Sequence, residues 1–399
     1  MDLKSFRDLL TPFGQEVLQA AQAMQPREAD FLTCFQQLDR QYPRELARSA
    51  LEIAIYRQQA AKKFPLAERM YFTRPALEQA SSYQVSAYRA ERYRGYAQIA
   101  DLGCSIGADT FNLATVAPTI GIDRDRLRLA MARANLEALE QEADFVQMDL
   151  QASFPGLAHP SVALFFDPAR RVDEQRKFSV HDYEPPLSVI RAWLGYFPAL
   201  AVKISPAVKM DELLGYNAEV EFISLHGELK EAVLWFGPLK STERRATVLP
   251  GPHSMVDIAS RVESSMVPTL HLSVPLAYLY EPDPAVIRAG LVQTLRVQLG
   301  ASQLDPTIAY LTGSSRKETP FARCWQVEDW FPFQLKRLRS YLRGRDIGQL
   351  TVKKRGSPIQ PEELIQSLRL EGTQERVLFL TQLKGNPIVI VALPEQITG

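Results

Sequence analysis

Four carboxylates close four short apolar runs: Asp101 in YAQIAD, Asp123 in TIGID, Asp149 in FVQMD and Asp167 in FFD. Acidic groups repeated at strand tips fall on the edge where open α/β sheets bind ligands. The first run leads into DLGCSIGADTFNLA, in which Gly103 and Gly107 let the backbone turn sharply and approach a ligand closely. The helix that follows presents unpaired N–H groups to polar or negative atoms. Twenty residues after Gly103, Asp123 is spaced to accept both hydroxyls of a ribose. A nucleotide-like ligand is the expectation. The run Gly103-Cys104-Ser105-Ile106-Gly107-Ala108 lacks the G-x-G-x-x-G spacing with which a backbone hugs a dinucleotide pyrophosphate. Asp167 opens Asp-Pro-Ala-Arg-Arg, and AVKISPAVKM sets Lys203, Ser205 and Pro206 at the end of a later strand. Lys203 either orients substrate and balances the carboxylates or pairs with Asp167 structurally.

These groups need elements to hold them. From Phe6 to about Ala61 apolar residues recur three and four apart, a helical pattern throughout, with Thr11-Pro12 as an N-cap and first-turn proline and with breaks at Pro43 and Pro65. From about Pro75 the texture changes to apolar runs alternating with helix-like stretches, the signature of βαβ units. Those runs are Ala97–Leu102, Thr119–Ile122, Ala143–Gln147, Val162–Phe166, Ala199–Ile204, Val220–Leu225 and Ala232–Phe236. The last two, separated by His226–Glu231, predict a parallel sheet ending in an antiparallel hairpin. After a Pro- and Ser-punctuated stretch come a strand-like run at Leu270–Leu279 and a helix from about Asp283, its N-cap, to Leu299. The last hundred residues predict a compact α+β unit: a basic helix Phe333–Leu342, a strand Leu350–Lys354, a helix opened by Pro361, and strands Val377–Leu380 and Pro387–Val391.

The chain has 399 residues, 46% hydrophobic and 23% charged, ample for two or three domains. Forty-six Lys and Arg balance 46 Asp and Glu, which excludes a uniformly cationic nucleic-acid binder and leaves only local clusters. Three scattered cysteines, Cys34, Cys104 and Cys324, make neither a CxxC pair nor a zinc set, so no metal is expected. The first twenty residues lack a signal-peptide pattern and no run of about 18 apolar residues occurs, so a soluble cytoplasmic protein without membrane partners is expected.

Asp-x-Gly-x-Ser-x-Gly resembles the first motif of class I S-adenosylmethionine-dependent methyltransferases, with Ser105 where that family usually has its middle glycine. The resemblance implies S-adenosylmethionine as cofactor, with Asp101, Gly103, Ser105 and Gly107 at its methionine end, Asp123 on the ribose and Asp149 on the adenine amino group. DPAR stands where amino-directed nucleic-acid methyltransferases carry (D/N)PP(Y/F), implying that Asp167 and a carbonyl at Pro168 accept hydrogen bonds from an exocyclic amine. Arg170 replaces the aromatic residue, and its guanidinium can stack on a base or grip phosphate. Methylation at a pyrimidine carbon five needs a nearby cysteine nucleophile, and none follows Asp167 before Cys324. The catalytic set is therefore expected to be Asp167, Pro168, Arg170 and Lys203, acting by direct transfer to nitrogen.

With VKISP, GELKEAVLWFG, YLYEPDPAVIRAGLV and VKKRG in order, nearly the whole chain resembles bacterial class I methyltransferases that carry a C-terminal THUMP-like domain. This implies an α/β architecture: residues 1–74 helical, 75–249 a Rossmann-like methyltransferase sheet, 250–303 a connection, and 304–399 a THUMP-like α+β domain. THUMP domains bind RNA, chiefly tRNA, which implies an RNA substrate such as tRNA or rRNA. Between Lys336 and Arg355 eight cations, including Lys336, Arg339, Lys353, Lys354 and Arg355, face the single acid Asp346, an electrostatic footprint suited to phosphate. A smaller cluster includes Arg170 and Arg171. Two other readings stay open: a catalytically silent RNA-binding protein on this scaffold, and a small-molecule methyltransferase.

Overall fold

Helix entry at the N-terminus follows local capping chemistry. The Thr11 hydroxyl accepts from Gly14 N at 3.1 Å, and Pro12 fills the first helical position. The computed structural model describes residues 1–151, 161–169, 171–172, 175–176, 179–249 and 271–395. Arg170 and the stretch 250–270 lie outside them, as does the side chain of Arg171. The chain forms two compact units, one of residues 1–220 and 230–241, the other of 221–229 and 242–399.

The first unit begins with α1 (Leu3–Leu10), α2 (Pro12–Ala23), α3 (Phe31–Leu38) and α4 (Arg44–Ala60), followed by α5 (Arg74–Gln79) and α6 (Tyr83–Ala90). The sheet and its helices then alternate: β1 (Gln98–Leu102), α7 (Thr110–Ala114), β2 (Thr119–Asp123), α8 (Arg126–Ala138), β3 (Asp144–Gln147) and β4 (Val162–Phe166). A two-residue ladder joins β5 (Arg171–Val172) to β6 (Gln175–Arg176), ahead of α9 (Ile190–Trp193) and β7 (Leu200–Ile204). β8 (Glu219–Leu225) and β9 (Glu228–Trp235) are a hairpin turning at His226-Gly227, both at positive φ, and the division between the units runs through it.

Within the first unit the strand order is β9-β7-β4-β1-β2-β3, parallel except where β9 runs antiparallel to β7. β4 and β7 are buried at every position, so both read as unbroken apolar runs rather than as alternation. The parallel order sets the carboxyl ends of β1, β2 and β4 side by side.

The N-terminal helices share a core with the turn after β1 and with α8, for Ile106, Ala108 and Met131 pack in the cluster of Phe6, Val17, Leu51 and Phe72. Asn135 of α8, 1% exposed, pins this junction. Its Oδ1 accepts from Tyr71 N at 2.7 Å, and its Nδ2 donates to Tyr71 O at 3.1 Å and Ile106 O at 2.9 Å.

The second unit adds β10 (Arg244–Leu249), beside β8, and then β11 (Tyr278–Pro282), α10 (Pro284–Arg288), α11 (Val292–Leu299), β12 (Ser302–Asp305), β13 (Ile308–Gly313) and β14 (Ala322–Pro332). It ends with α12 (Leu335–Arg343), β15 (Ile347–Lys354), α13 (Pro361–Leu368), β16 (Gln374–Leu383) and β17 (Asn386–Ala392). Seven strands form one sheet in the order β12-β13-β11-β14-β17-β16-β15, larger than the small sheet expected here. α12 and α13 cover one face through Leu338, Leu342, Leu364 and Leu368.

Two expected elements differ. The strand-like run at Leu270–Leu279 begins only at Tyr278, because Pro275 cannot donate to a ladder and Leu272 makes one isolated bridge. The helix Asp283–Leu299 is two helices, broken where Gly290 takes φ +73°, although Asp283 does cap the first through Ala285 N. Among the described residues no helix is long and apolar enough to cross a membrane.

Replacing Asn135 with leucine strands three buried backbone groups. The variant is expected to lose about 2–4 kcal/mol in urea unfolding. A loss below about 0.5 kcal/mol would show that the junction does not depend on this amide.

Candidate active site

The turn after β1 is built from three residues at positive φ: Gly103 at 80°, Ser105 at 50° and Gly107 at 79°. A Cβ on Gly103 would lie 2.6 Å from Asp167 O, and one on Gly107 would lie 2.9 Å from Leu136 Cδ1. Conformation favours glycine at both, and at Gly103 the backbone of Asp167 also leaves no space for a Cβ. Ser105 holds the left-handed conformation at about 1–2 kcal/mol of strain, offset by its N–H, which donates to Asp123 Oδ2 at 2.9 Å. Serine at the middle position is thus held in the left-handed conformation by the tip of β2.

Asp123, the last residue of β2, is 8% exposed. Oδ2 accepts from Ser105 N, and Oδ1 accepts from Asp125 N at 2.9 Å. Each oxygen holds one donor and keeps lone-pair capacity for another, which suits a vicinal diol. A cavity begins here, lined by Gly103, Ser105, Ile106, Asp123, Met148 and Asp149, and continues to Asp167, Pro168 and Ala169. Asp149, two residues past β3, accepts from Gln151 N at 2.9 Å. Apolar flanks at Ile106 and Met148, a glycine cradle and a diol-binding carboxylate make a donor set that fits an adenosyl amino acid. The two arginines on the cavity wall, Arg124 and Arg128, are paired with Glu184 and Asp125.

Asp101 stands apart. It is the penultimate residue of β1, 1% exposed, and does not line the cavity. Thr110 Oγ1 donates to its Oδ2 at 2.5 Å, while Oδ1 has no hydrogen-bond partner. Burial, reinforced by the nearby Asp109 charge, pushes its carboxyl up to about 8. Asp101 therefore ties the end of β1 to the start of α7.

Asp167 directly follows β4, and its N–H donates to Leu102 O at 3.0 Å, fixing it beside the glycine turn. Lys203 of β7, 2% exposed, donates to Asp167 Oδ2 at 2.7 Å and to Gln79 O at 3.3 Å. The pairing left open by the sequence is formed. Sequence reasoning missed the wall supplied by α5 and the residues after it: Ala76, Gln79 and Ala80 line the same cavity. Lys63 Nζ donates to the carbonyls of Leu77 at 2.7 Å, Glu78 at 3.3 Å and Ala80 at 3.1 Å. Burial, with repulsion from Lys203 and Lys230, lowers its ammonium to about 8. One residue on, Ser81 joins a buried cluster in which Arg89 Nη2 reaches Asp109 Oδ1 at 2.5 Å and Arg89 Nε lies 2.6 Å from Glu231 Oε1. Burial raises Asp109, but attraction to Arg89 and Lys203 outweighs it and holds the carboxyl below its ordinary value. Arg124 and Glu184, also on the cavity wall, pair at 2.8 Å. Only the carbonyl contacts, invisible to residue type, could have flagged this wall.

The basic segment is described within its own unit. Lys336 lies exposed on α12, and Lys354 is exposed with its Nζ 2.6 Å from Gln360 Oε1. Arg339 Nη2 donates to Ser367 O at 2.5 Å. Lys353 pairs with Glu281 Oε2 at 2.5 Å, and Arg355 Nη2 lies 3.9 Å from Glu281 Oε1. Arg345 and Arg376 share Glu328. The local count of eight cations against one acid overstates the field, because folding brings in acids distant in sequence.

A family model described as THUMP domain-like matches residues 322–394, and one described as a domain of unknown function matches residues 2–60. A Mycobacterium tuberculosis protein described as an uncharacterized S-adenosylmethionine-dependent methyltransferase is 34% identical over 321 residues, spanning 78% of this chain and 84% of that one. A crystal structure of a Porphyromonas gingivalis W83 protein described as a methyltransferase superposes with a TM-score of 0.72 at 22% identity, covering 93% of this chain and 99% of that chain. This second likeness speaks to the fold.

The raised Asp101 carboxyl carries a pH signature. Its folded pKa, about 8, exceeds the unfolded value of 3.8, so between these values the folded state keeps a proton that the unfolded chain has released. Stability from this group falls as pH rises through that window and levels off above it. Asp101→Asn removes the linkage, so the Tm advantage of the variant should grow from about pH 5 to about pH 8 and then stay constant. A pH-independent difference contradicts the assignment.

Proposed function

Because the chain belongs to the class I S-adenosylmethionine-dependent methyltransferases with a C-terminal THUMP-like domain, we propose that it methylates a nitrogen on a base of tRNA or rRNA. The observation that carries this reading is the Asp167–Lys203 ion pair at 2.7 Å on the cavity wall, next to the glycine turn. S-adenosylmethionine is the cofactor, and when bound it supplies a methyl group on a positively charged sulfur.

In this reading Asp123 holds the ribose hydroxyls, the Gly103–Gly107 turn holds the amino acid end and Asp149 reaches the adenine amino group. Asp101 ties β1 to α7 through Thr110. Asp167 and the Pro168 carbonyl accept hydrogen bonds from the exocyclic amine of the acceptor base, aiming the nitrogen lone pair into the cavity. Lys203 balances the Asp167 charge and fixes its rotamer, leaving Oδ1 to accept from the amine. Cys104 also lines the cavity, but burial pushes its thiol well up and keeps it from serving as a thiolate nucleophile, so acceleration comes mainly from orientation and proximity. Arg170 and Arg171 would grip the RNA beside this loop. The exposed cations Lys336 and Lys354 would meet phosphates, with Arg339, Lys353 and Arg355, partly engaged by Ser367 O and Glu281, contributing less; the likeness to THUMP domains supports this.

Three measurements test the reading. In titration calorimetry Asp123→Ala should weaken S-adenosylmethionine binding at least about tenfold, the loss of roughly one charge-assisted hydrogen bond. An unchanged affinity removes Asp123 from the ribose site. Mass spectrometry of RNA nucleosides should find one N-methylated nucleoside missing without the gene, restored by the wild-type protein but not by Asp167→Ala. An unaltered nucleoside profile refutes the RNA reading. Charge reversal at Lys336 and Lys354 should lower RNA affinity and reduce its salt slope by about 1 for each phosphate that is no longer neutralised.

A further inference from the structure

Gln79 sits at the end of α5, half-buried on the same cavity wall as Asp167. Its carbonyl and the Asp167 carboxylate are held by one ammonium, Lys203 Nζ, at 3.3 and 2.7 Å. The carbonyls on either side are held by Lys63. Ser81, two residues on, is locked to Arg89, Asp109 and Glu231. The backbone of Gln79 is therefore fixed relative to Asp167. Its side-chain amide, by contrast, makes no hydrogen bond among the described residues. A partly buried amide on the same cavity wall as a committed carboxylate, on a rigid support, has the form of a recognition group.

The chemistry of the pair narrows what it recognises. Asp167, paired with an ammonium, can only accept hydrogen bonds, whereas the Gln79 amide can also donate. In adenine, cytosine and guanine an exocyclic amine lies next to an unprotonated ring nitrogen, so each presents a donor beside an acceptor. Uracil has no amine and presents carbonyls and a ring N–H. We propose that Gln79 Nε2 donates to the ring nitrogen adjacent to the amine held by Asp167, making Gln79 the residue that restricts the acceptor to amino-bearing bases. This assignment rests on the nitrogen-transfer reading above.

The test uses total RNA from cells lacking the gene, the full-length protein and tritiated S-adenosylmethionine. Gln79→Ala should raise KM for RNA by about 5- to 100-fold, the range set by hydrogen bonding to one base edge, while calorimetric affinity for S-adenosylmethionine and Tm stay at wild-type values. Gln79→Glu, which removes the donor and adds a charge, should be impaired at least as much. Wild-type KM in Gln79→Ala overturns the proposal, as does wild-type activity in Gln79→Glu, which would mean that the side chain accepts. A parallel fall in cofactor affinity and Tm also overturns it, by showing a purely structural role. A wild-type protein that binds S-adenosylmethionine yet labels no RNA defeats the RNA reading and this inference together, whereas a labelled RNA unaffected by Gln79→Ala defeats the inference alone.

Discussion

A lysine ammonium buried to 2% exposure must find anions or carbonyls, and the position of Lys203 at the end of β7 decides which. Taking an ammonium from water is penalised by several kcal/mol unless it is paired, so Lys203 draws Asp167 and the Gln79 carbonyl together. Three elements far apart in sequence, α5, the residue after β4 and β7, are thereby fixed around one point. Removing the ammonium would leave Asp167 without this partner and cut its tie to the α5 wall, which Lys63 and the Ser81 cluster would still hold from the other side.

Around it the unit is arranged to keep the turn after β1 in place. Ser105 and Asp123 share a hydrogen bond that ties the turn to the tip of β2. Asn135 ties the turn to α8 and to the backbone at Tyr71. The N-terminal helices therefore support the cavity, since Ile106 and Ala108 of the turn belong to their core. Below Ser81, Arg89 holds two buried carboxylates, Asp109 and Glu231, and its guanidinium stacks 4.5 Å from the Phe165 ring centre. Burial drives the Glu231 carboxyl above its ordinary value even with Arg89 beside it. In such a buried network each member's state depends on its neighbours, although Arg89 Nε and Glu231 Oε1 make an ion pair without a hydrogen bond.

Much of this was legible in the sequence because it is local. A buried parallel strand is an apolar run, so Val162–Phe166 was read to the residue, and glycines at positive φ announce a turn. What escaped was set by distance. The Gln79 wall is defined by a bond to a lysine 124 residues away. Glu281 and Glu328 neutralise cations that look unopposed in their own segment. β14 hid its period because a register shift between Val327 and Asp329 moves the apolar positions by one, and Gly290 split what looked like one helix. Asp101 sat in the expected motif, yet folding buries it off the cavity lining with Thr110 as its partner.

The central claim is that one cavity joins an adenosyl site at Asp123 to an acceptor site at Asp167. A crystal structure with S-adenosylhomocysteine tests it most directly. The account predicts the ribose hydroxyls on the Asp123 carboxylate and the sulfur turned toward Asp167 and Gln79. A ligand bound elsewhere, or one whose sulfur faces away from Asp167, would contradict it.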